Sequence, residues 1–163
     1  MAANQDPDPL EAAVSLVLAA RSGMLATVHE GMPHASLVTP GLDRDGQPVL
    51  LLSALAAHTR HLRENPACAL LVTGEAQSGD AQTSNPQTKP RLSLTGTARA
   101  VPAEGLREGY LKRHPYAAQY VDFGDFGFWK ITIRTARFIG GFASASNLNT
   151  AALQREISAR QCR

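Results

Sequence analysis

The spacing of apolar residues changes along this chain, and the changes mark its elements. Leu10, Ala13, Val14, Val17 and Leu18 recur at intervals of three and four, one apolar face of a helix. Asp8, Pro9 and Glu11 stand where an N-cap, a first-turn proline and a capping-box acid belong. Gly23 predicts a stop after Arg21. From Met24 the period is that of strands. Met24 to His29 and His34 to Leu42 predict a hairpin around a Gly31-Met32-Pro33 turn, with a second turn at Asp43 to Gly46. Val49 to Leu52 is apolar at every position, which predicts a strand buried on both faces.

The second half continues in the same manner. Ala56 to Asn65 predicts a helix stopped by Pro66, and Ala67 to Thr73 another strand. Residues 74–88 carry almost no apolar side chains and predict a long exposed loop. Arg91 to Val101 predicts a strand with a bulge at Gly96. Residues 103–121 predict helix broken at His114-Pro115. Phe128 to Arg134 and Arg137 to Ile139 predict two closing strands, and Gly140-Gly141 a close backbone approach. The last residues, 149–163, predict a polar helix or tail with few packing contacts. About six strands on hairpin-length connections predict a mainly β fold, an antiparallel barrel with peripheral helices, over residues 8–148. Residues 1–7 predict a disordered tail.

Composition narrows the class. At 163 residues and 44% hydrophobic the chain is one globular domain's worth of sequence. No apolar run approaches the ~18 residues of a membrane span. The opening MAANQDPDPLEAA lacks the basic and apolar regions of a signal peptide. A net charge of +2 gives little footing for nucleic acid, and two cysteines make no disulfide framework. The expectation is a cytoplasmic protein with no membrane or nucleic-acid partner. Cys68, in an apolar strand, is expected to be a buried, inert thiol.

Candidate chemistry gathers around Ser53 to Pro66. A strand ends at Ser53 and a helix begins within a few small residues, so a ligand anion can approach the first free N–H groups. Ser53 and Thr59 offer hydroxyls there, and His58 and Arg60 offer charge. The same residues also fit an ordinary capped helix with a solvated basic face. Arg91, beside Lys89 and Pro90, reads either as a ligand-fixing guanidinium or as a rim arginine. His58 and His61 lack the further ligands a metal site needs. The repeated Asp-Phe-Gly of residues 122–127 has none of the other kinase motifs and reads as an aromatic turn before Trp129. No general acid or base stands out.

Taken in order, Gly31-Met32-Pro33-His34-Ala35-Ser36-Leu37-Val38, Ser53 with Ala57-His58-Thr59-Arg60-His61-Leu62 and Asn65-Pro66, Pro90 to Gly96, Phe123 to Phe126, and Ala136 to Phe142 resemble one family. It is the pyridoxamine 5'-phosphate oxidase-like FMN-binding split barrels, in the branch of the haem-iron utilisation proteins. The resemblance runs over residues 12–148. It implies a six-stranded antiparallel split barrel and a homodimer with two FMN sites at the interface. The flavin phosphate would meet Ser53, His58, Thr59 and Arg60. Ser36, Leu37, Val38 and Thr39 would run along the isoalloxazine. Arg91 would reach in from the other subunit, and Gly141 and Phe142 would close the site.

Two departures matter. The longer haem-utilisation proteins carry a further C-terminal domain, to which the resemblance over residues 12–148 does not extend. Pyridoxamine phosphate oxidases end in an Arg- and His-containing substrate segment that Ile157 to Arg163 does not match, which argues against vitamin B6 oxidation. The leading expectation is an FMN-dependent oxidoreductase acting on a small molecule. The alternative is a carrier of haem or a flavin without turnover, with axial ligation open to His29, His34, His58, His61 and His114. The family also holds deazaflavin-binding and cofactor-free members, the latter leaving a purely structural dimer.

Overall fold

The computed structural model describes residues 8–74, 85–141 and 144–162. The predicted 1–7 tail, most of the predicted 74–88 loop and Phe142 lie outside the described residues. Helix α1 spans Pro9–Ala19, with the Asp8 carboxylate accepting from the Glu11 N–H at its start. The helix stops earlier than Gly23 suggests. Ala20 is already extended, and Gly23 opens strand β1, Gly23–His29. What ends α1 comes from far away in sequence. The Arg113 guanidinium donates to the carbonyls of Val17, Leu18 and Ala20 and to that of Pro40. It thereby pairs carbonyls that a helix C-terminus leaves free.

β1 pairs with β2, Met32–Val38, around a turn shifted from the predicted one. The turn residues are Glu30 and Gly31, at φ 50° and 76°. Two left-handed residues make the tight turn whose twist matches a hairpin. Pro33 therefore lies in a strand, opposite Val28. It is tolerated because β2 is an edge strand. The predicted return strand to Leu42 is broken after Val38. Thr39-Pro40 leaves the sheet, and β3, Gly41–Leu42, pairs with β4, Pro48–Ser53.

Helix α2 is Ala57–Glu64, β5 is Ala67–Thr73 and β6 is Arg91–Val101. Helix α3, Arg107–Arg113, is followed by a 3-10 turn at Pro115–Gln119. β7 runs unbroken over Phe126–Gly141, so the two predicted closing strands are one. The predicted break at Thr135-Ala136 is absent, and the irregularity is a register shift at Thr95/Gly96 that leaves Arg134 without a partner on β6. A Cβ on Gly96 would lie 2.0 Å from the Thr132 carbonyl oxygen, so only glycine allows β6 and β7 to meet there. β8 is Ser144–Leu148 and α4 is Thr150–Gln161.

The sheet order is β2-β1-β5-β6-β7-β4-β3, with β8 on β7, and every pair is antiparallel. The fold is the mainly β, helix-flanked split barrel expected. It has eight strands rather than six, because β3 is only two residues long and β8, Ser-Ala-Ser-Asn-Leu, is largely polar and exposed and shows no apolar alternation. β4 is apolar throughout because it serves two cores. Leu50 and Leu52 join the main one with Leu25, Leu70, Leu92 and Ile131. Val49 and Leu51 pack on Tyr110, Ala117 and Phe128.

The C-terminal helix departs from its expectation. Leu153 and Ile157 are fully buried in the main core, and Arg160 bridges to Glu11 at 3.5 Å. Two apolar residues four apart suffice for a helix that docks along one narrow stripe. Gly46, at φ 76°, lies under α4. A Cβ there would sit 2.7 Å from the Gln154 carbonyl oxygen.

Candidate functional site

The Ser53 to Arg60 segment is held by its own polar groups. Ser53 Oγ donates to Asp125 Oδ2 at 2.6 Å and accepts from the Leu55 N–H at 3.1 Å. The Ala54 N–H donates to the Asp125 carbonyl at 2.6 Å. Thr59, 1% exposed, donates its hydroxyl to the Ser53 carbonyl at 2.7 Å. Both hydroxyls expected to face a ligand are therefore spent inside the chain, and they shape the turn. At the start of α2 the N-cap residue is Ala56, which supplies no side-chain acceptor. The N–H groups of Ala57 and His58 have no backbone partner among the described residues. His58 is half-buried and Arg60 exposed beside them. Burial, then the neighbouring His61, lowers the His58 pKa and favours its neutral imidazole.

Four of the five histidines collect around α2, a grouping the sequence reading did not anticipate. The His61 ring stacks on His29 at 4.7 Å and tilts against His34 at 4.5 Å. His61 Nδ1 is 3.0 Å from Thr27 Oγ1, and His29 Nδ1 is 2.8 Å from Glu64 Oε2. Burial, then the charges His34, His29 and Arg60 would present, lowers the His61 pKa. His114 is buried and bonded to the Pro40 carbonyl and to Tyr116. Only His34 and His58 keep both ring nitrogens free of protein partners among the described residues. The hairpin register already sets His34 across from Thr27. The docking of His61 needs α2 in place, which no local pattern gives.

Arg91 lies at the opposite end of the sheet. α2 docks near Thr27, and Thr27, Cys68 and Gly96 are successive partners across β1, β5 and β6. Arg91 is five residue steps along β6 from Gly96, roughly 17 Å of strand. Arg91 donates to the Gln87 and Lys89 carbonyls at 2.8 and 3.2 Å. It lines a cavity of about 440 Å³ with Arg21, Ser22, Thr73, Gly74 and Lys89. Arg21 is the residue the sequence reading missed here, because its place depends on where α1 ends. Gly141 is close by, its added Cβ position 3.5 Å from the Thr88 carbonyl oxygen.

Ser36, Leu37 and Val38 lie between these ends, on the free edge strand of the sheet, and Thr39 follows just beyond it. Val38 turns into the core and Leu37 is 71% exposed. Thr39 is tied to the Tyr110 hydroxyl at 2.9 Å. The outward face carries a row Leu37, Met24, Leu71 beside a row Ala35, Ala26, Ala69. Cys68 is buried as expected, its pKa raised to about 11 by desolvation. No helix among the described residues is long and apolar enough to cross a membrane.

These features define a split-barrel protein with polar clusters at both ends of its sheet. The sequence profile of the pyridoxamine 5'-phosphate oxidase family matches residues 10–140, and the chain belongs to that family. It is 36% identical over 143 residues to the chloroplastic non-canonical heme oxygenase HOZ of Arabidopsis thaliana, covering 84% of this chain and 42% of that protein. It superposes on a heme binding protein from Mycobacterium smegmatis with a TM-score of 0.81 and 29% identity, over 92% of this chain and 61% of the other. Campylobacter jejuni ChuZ shares the fold, with a TM-score of 0.75 at 17% identity, over 91% of this chain and 63% of the other. The chain thus spans less than half the length of the curated relative and about three-fifths of the mycobacterial one. The haem-related branch anticipated from the motifs is where its relatives lie.

Proposed function

We propose that this chain binds haem, as a homodimer whose ligand sites draw on both copies. The observation that carries the reading is the 36% identity, over 84% of the chain, to a protein named as a heme oxygenase. The mycobacterial heme binding protein adds support from structure. The local chemistry fits an anionic, flat, apolar ligand. The free N–H groups of Ala57 and His58, with the His58 and Arg60 side chains, suit a carboxylate or phosphate. Arg91, Lys89 and Arg21 offer a second cationic patch. One protomer holds these patches far apart, so a second copy packed on the Leu37, Met24, Leu71 face is what would bring them to one ligand. Ser53 and Thr59 then act by holding the turn, and Ser36 to Val38 offer a free strand edge beside the ligand. Bound haem would supply the redox and oxygen chemistry, with His34 and His58 as the imidazoles available to its iron.

FMN is the second reading, favoured by the uncapped start of α2, which suits a phosphate. Titrating the protein with haem, and separately with FMN, decides between them. The haem reading expects a Soret band that co-elutes with protein and diminishes on His34→Ala or His58→Ala. Retention of FMN with no haem spectrum would replace it. Sedimentation should give a dimer, and a monomer that still binds haem tightly would refute the shared site.

A further inference from the structure

A cleft of about 640 Å³ opens on the outer face of β6, β7 and β8, where Ser93 and Thr95 continue the rows of Leu71 and Ala69 across the sheet. Its polar walls come from Ser93 and Thr95 on β6, Arg134, Thr135 and Arg137 on β7, and Asn147 on β8. It runs alongside the Arg91 cavity on β6 but shares no lining residue with it. The Gly96 bulge builds it. The register steps from Thr95 opposite Thr135 to Gly96 opposite Ile133, so Arg134 is the extra residue. Bulges re-aim side chains in this way. Here Arg134 and Thr135 are both exposed in succession, and Arg134 joins Arg137 on the outer face.

The donors of this cleft are in surplus. Its lining contains two guanidinium groups and no carboxylate. Among the described residues neither arginine forms a salt bridge. Among the described residues Arg137 donates only to the neutral Asn147 Oδ1, at 3.3 Å. The Thr95 and Thr135 hydroxyls bond each other, which uses one of their two protons and leaves the other to donate outward. Ser93, opposite Arg137, adds a further hydroxyl. Two guanidinium forks and several hydroxyl donors lining one cleft match an oxyanion presenting several oxygens at once.

We propose that this cleft binds a small, multiply charged oxyanion, the phosphoryl or dicarboxylate group of a metabolite. The inference does not depend on haem, and its test uses none. Backbone amide NMR spectra of the whole chain would be followed during titration with inorganic pyrophosphate and, separately, with succinate. The expected result is a saturable shift of the Ser93, Thr95, Thr135 and Asn147 amides with one or both probes. Pyrophosphate alone would mark a phosphoryl site, and succinate alone a dicarboxylate site. Arg134→Gln and Arg137→Gln should each weaken binding roughly tenfold to hundredfold, while Arg91→Ala leaves it unchanged. Should the arginine variants misfold, Thr135→Val must still weaken binding severalfold in a folded protein. The inference is overturned if neither probe gives saturable shifts. It is equally overturned if the shifts centre on Thr73 and Gly74 and vanish with Arg91→Ala.

Discussion

The two ends of the sheet contain similar residue types and use them differently. At the α2 end, Ser53 and Thr59 are consumed by Asp125 and by the Ser53 carbonyl, and His61 and His29 are tied to Thr27 and Glu64. At the Arg91 end, three cationic side chains surround an open cavity with Ser22 and Thr73. The first end has become structure, and what it leaves for a ligand is two N–H groups, the imidazoles of His34 and His58, and the Arg60 guanidinium. The second keeps its charge available. A hydroxyl near a helix start looks the same in sequence in either role. The difference is made by a partner arriving from 72 residues away, as Asp125 does for Ser53.

Substitutions should separate the two ends by what they disturb. Arg91→Ala has the largest expected effect. It should weaken haem, or FMN, by about 1.5–3 kcal/mol while leaving the unfolding midpoint nearly unchanged. Calorimetry and thermal melts on one preparation would show whether Arg91 is a ligand contact or a rim arginine. Thr59→Ala should behave in the opposite way, losing about 1–2 kcal/mol of folding stability with little change in ligand affinity once folded. A large affinity loss at unchanged stability would return Thr59 to the ligand site. Ser53→Ala should cost roughly 0.5–1.5 kcal/mol, because its partner Asp125 can turn towards water. Denaturant titration at constant slope would read this change.

The smallest effect concerns acid. Burial, only partly offset by the Pro40 carbonyl and deepened by Arg113 and Arg21, lowers the His114 pKa in the fold. The unfolded chain then binds the proton more readily, below its ordinary value of about 6.5. The stabilisation from this neutral imidazole is full above that value and is lost as pH falls through the lowered folded one. His114→Gln should flatten this part of the stability–pH curve. An unchanged curve would assign the acid sensitivity elsewhere, with the histidines around α2 next in line.

Much of the barrel was legible because local pattern and tertiary role agree. β4 reads as doubly buried and is. The Gly96 bulge reads from a lone glycine in a strand, and Thr132 shows why no other residue fits. The illegible parts depend on distant partners. The end of α1 is set by Arg113, over ninety residues on. The Glu30-Gly31 turn was obscured by Pro33, which an edge strand tolerates. Leu153 and Ile157 looked sparse in a polar helix, yet they seat α4 in the core. For the site, residue types and segments were legible, but their spatial division between the ends of one protomer was not. Sequence order places Ser53 and Arg91 in a single motif series, whereas strand register sets them apart.

That division gives the most direct test of a shared ligand site. One chain would carry His58→Ala with Arg60→Ala, and a second chain Arg91→Ala. Each alone should bind haem poorly. Unfolded together and refolded as a mixture, they should regain a strong Soret band, because each mixed dimer then holds one site with both halves intact. A mixture that binds no better than its two components would contradict the account and confine the site to a single protomer.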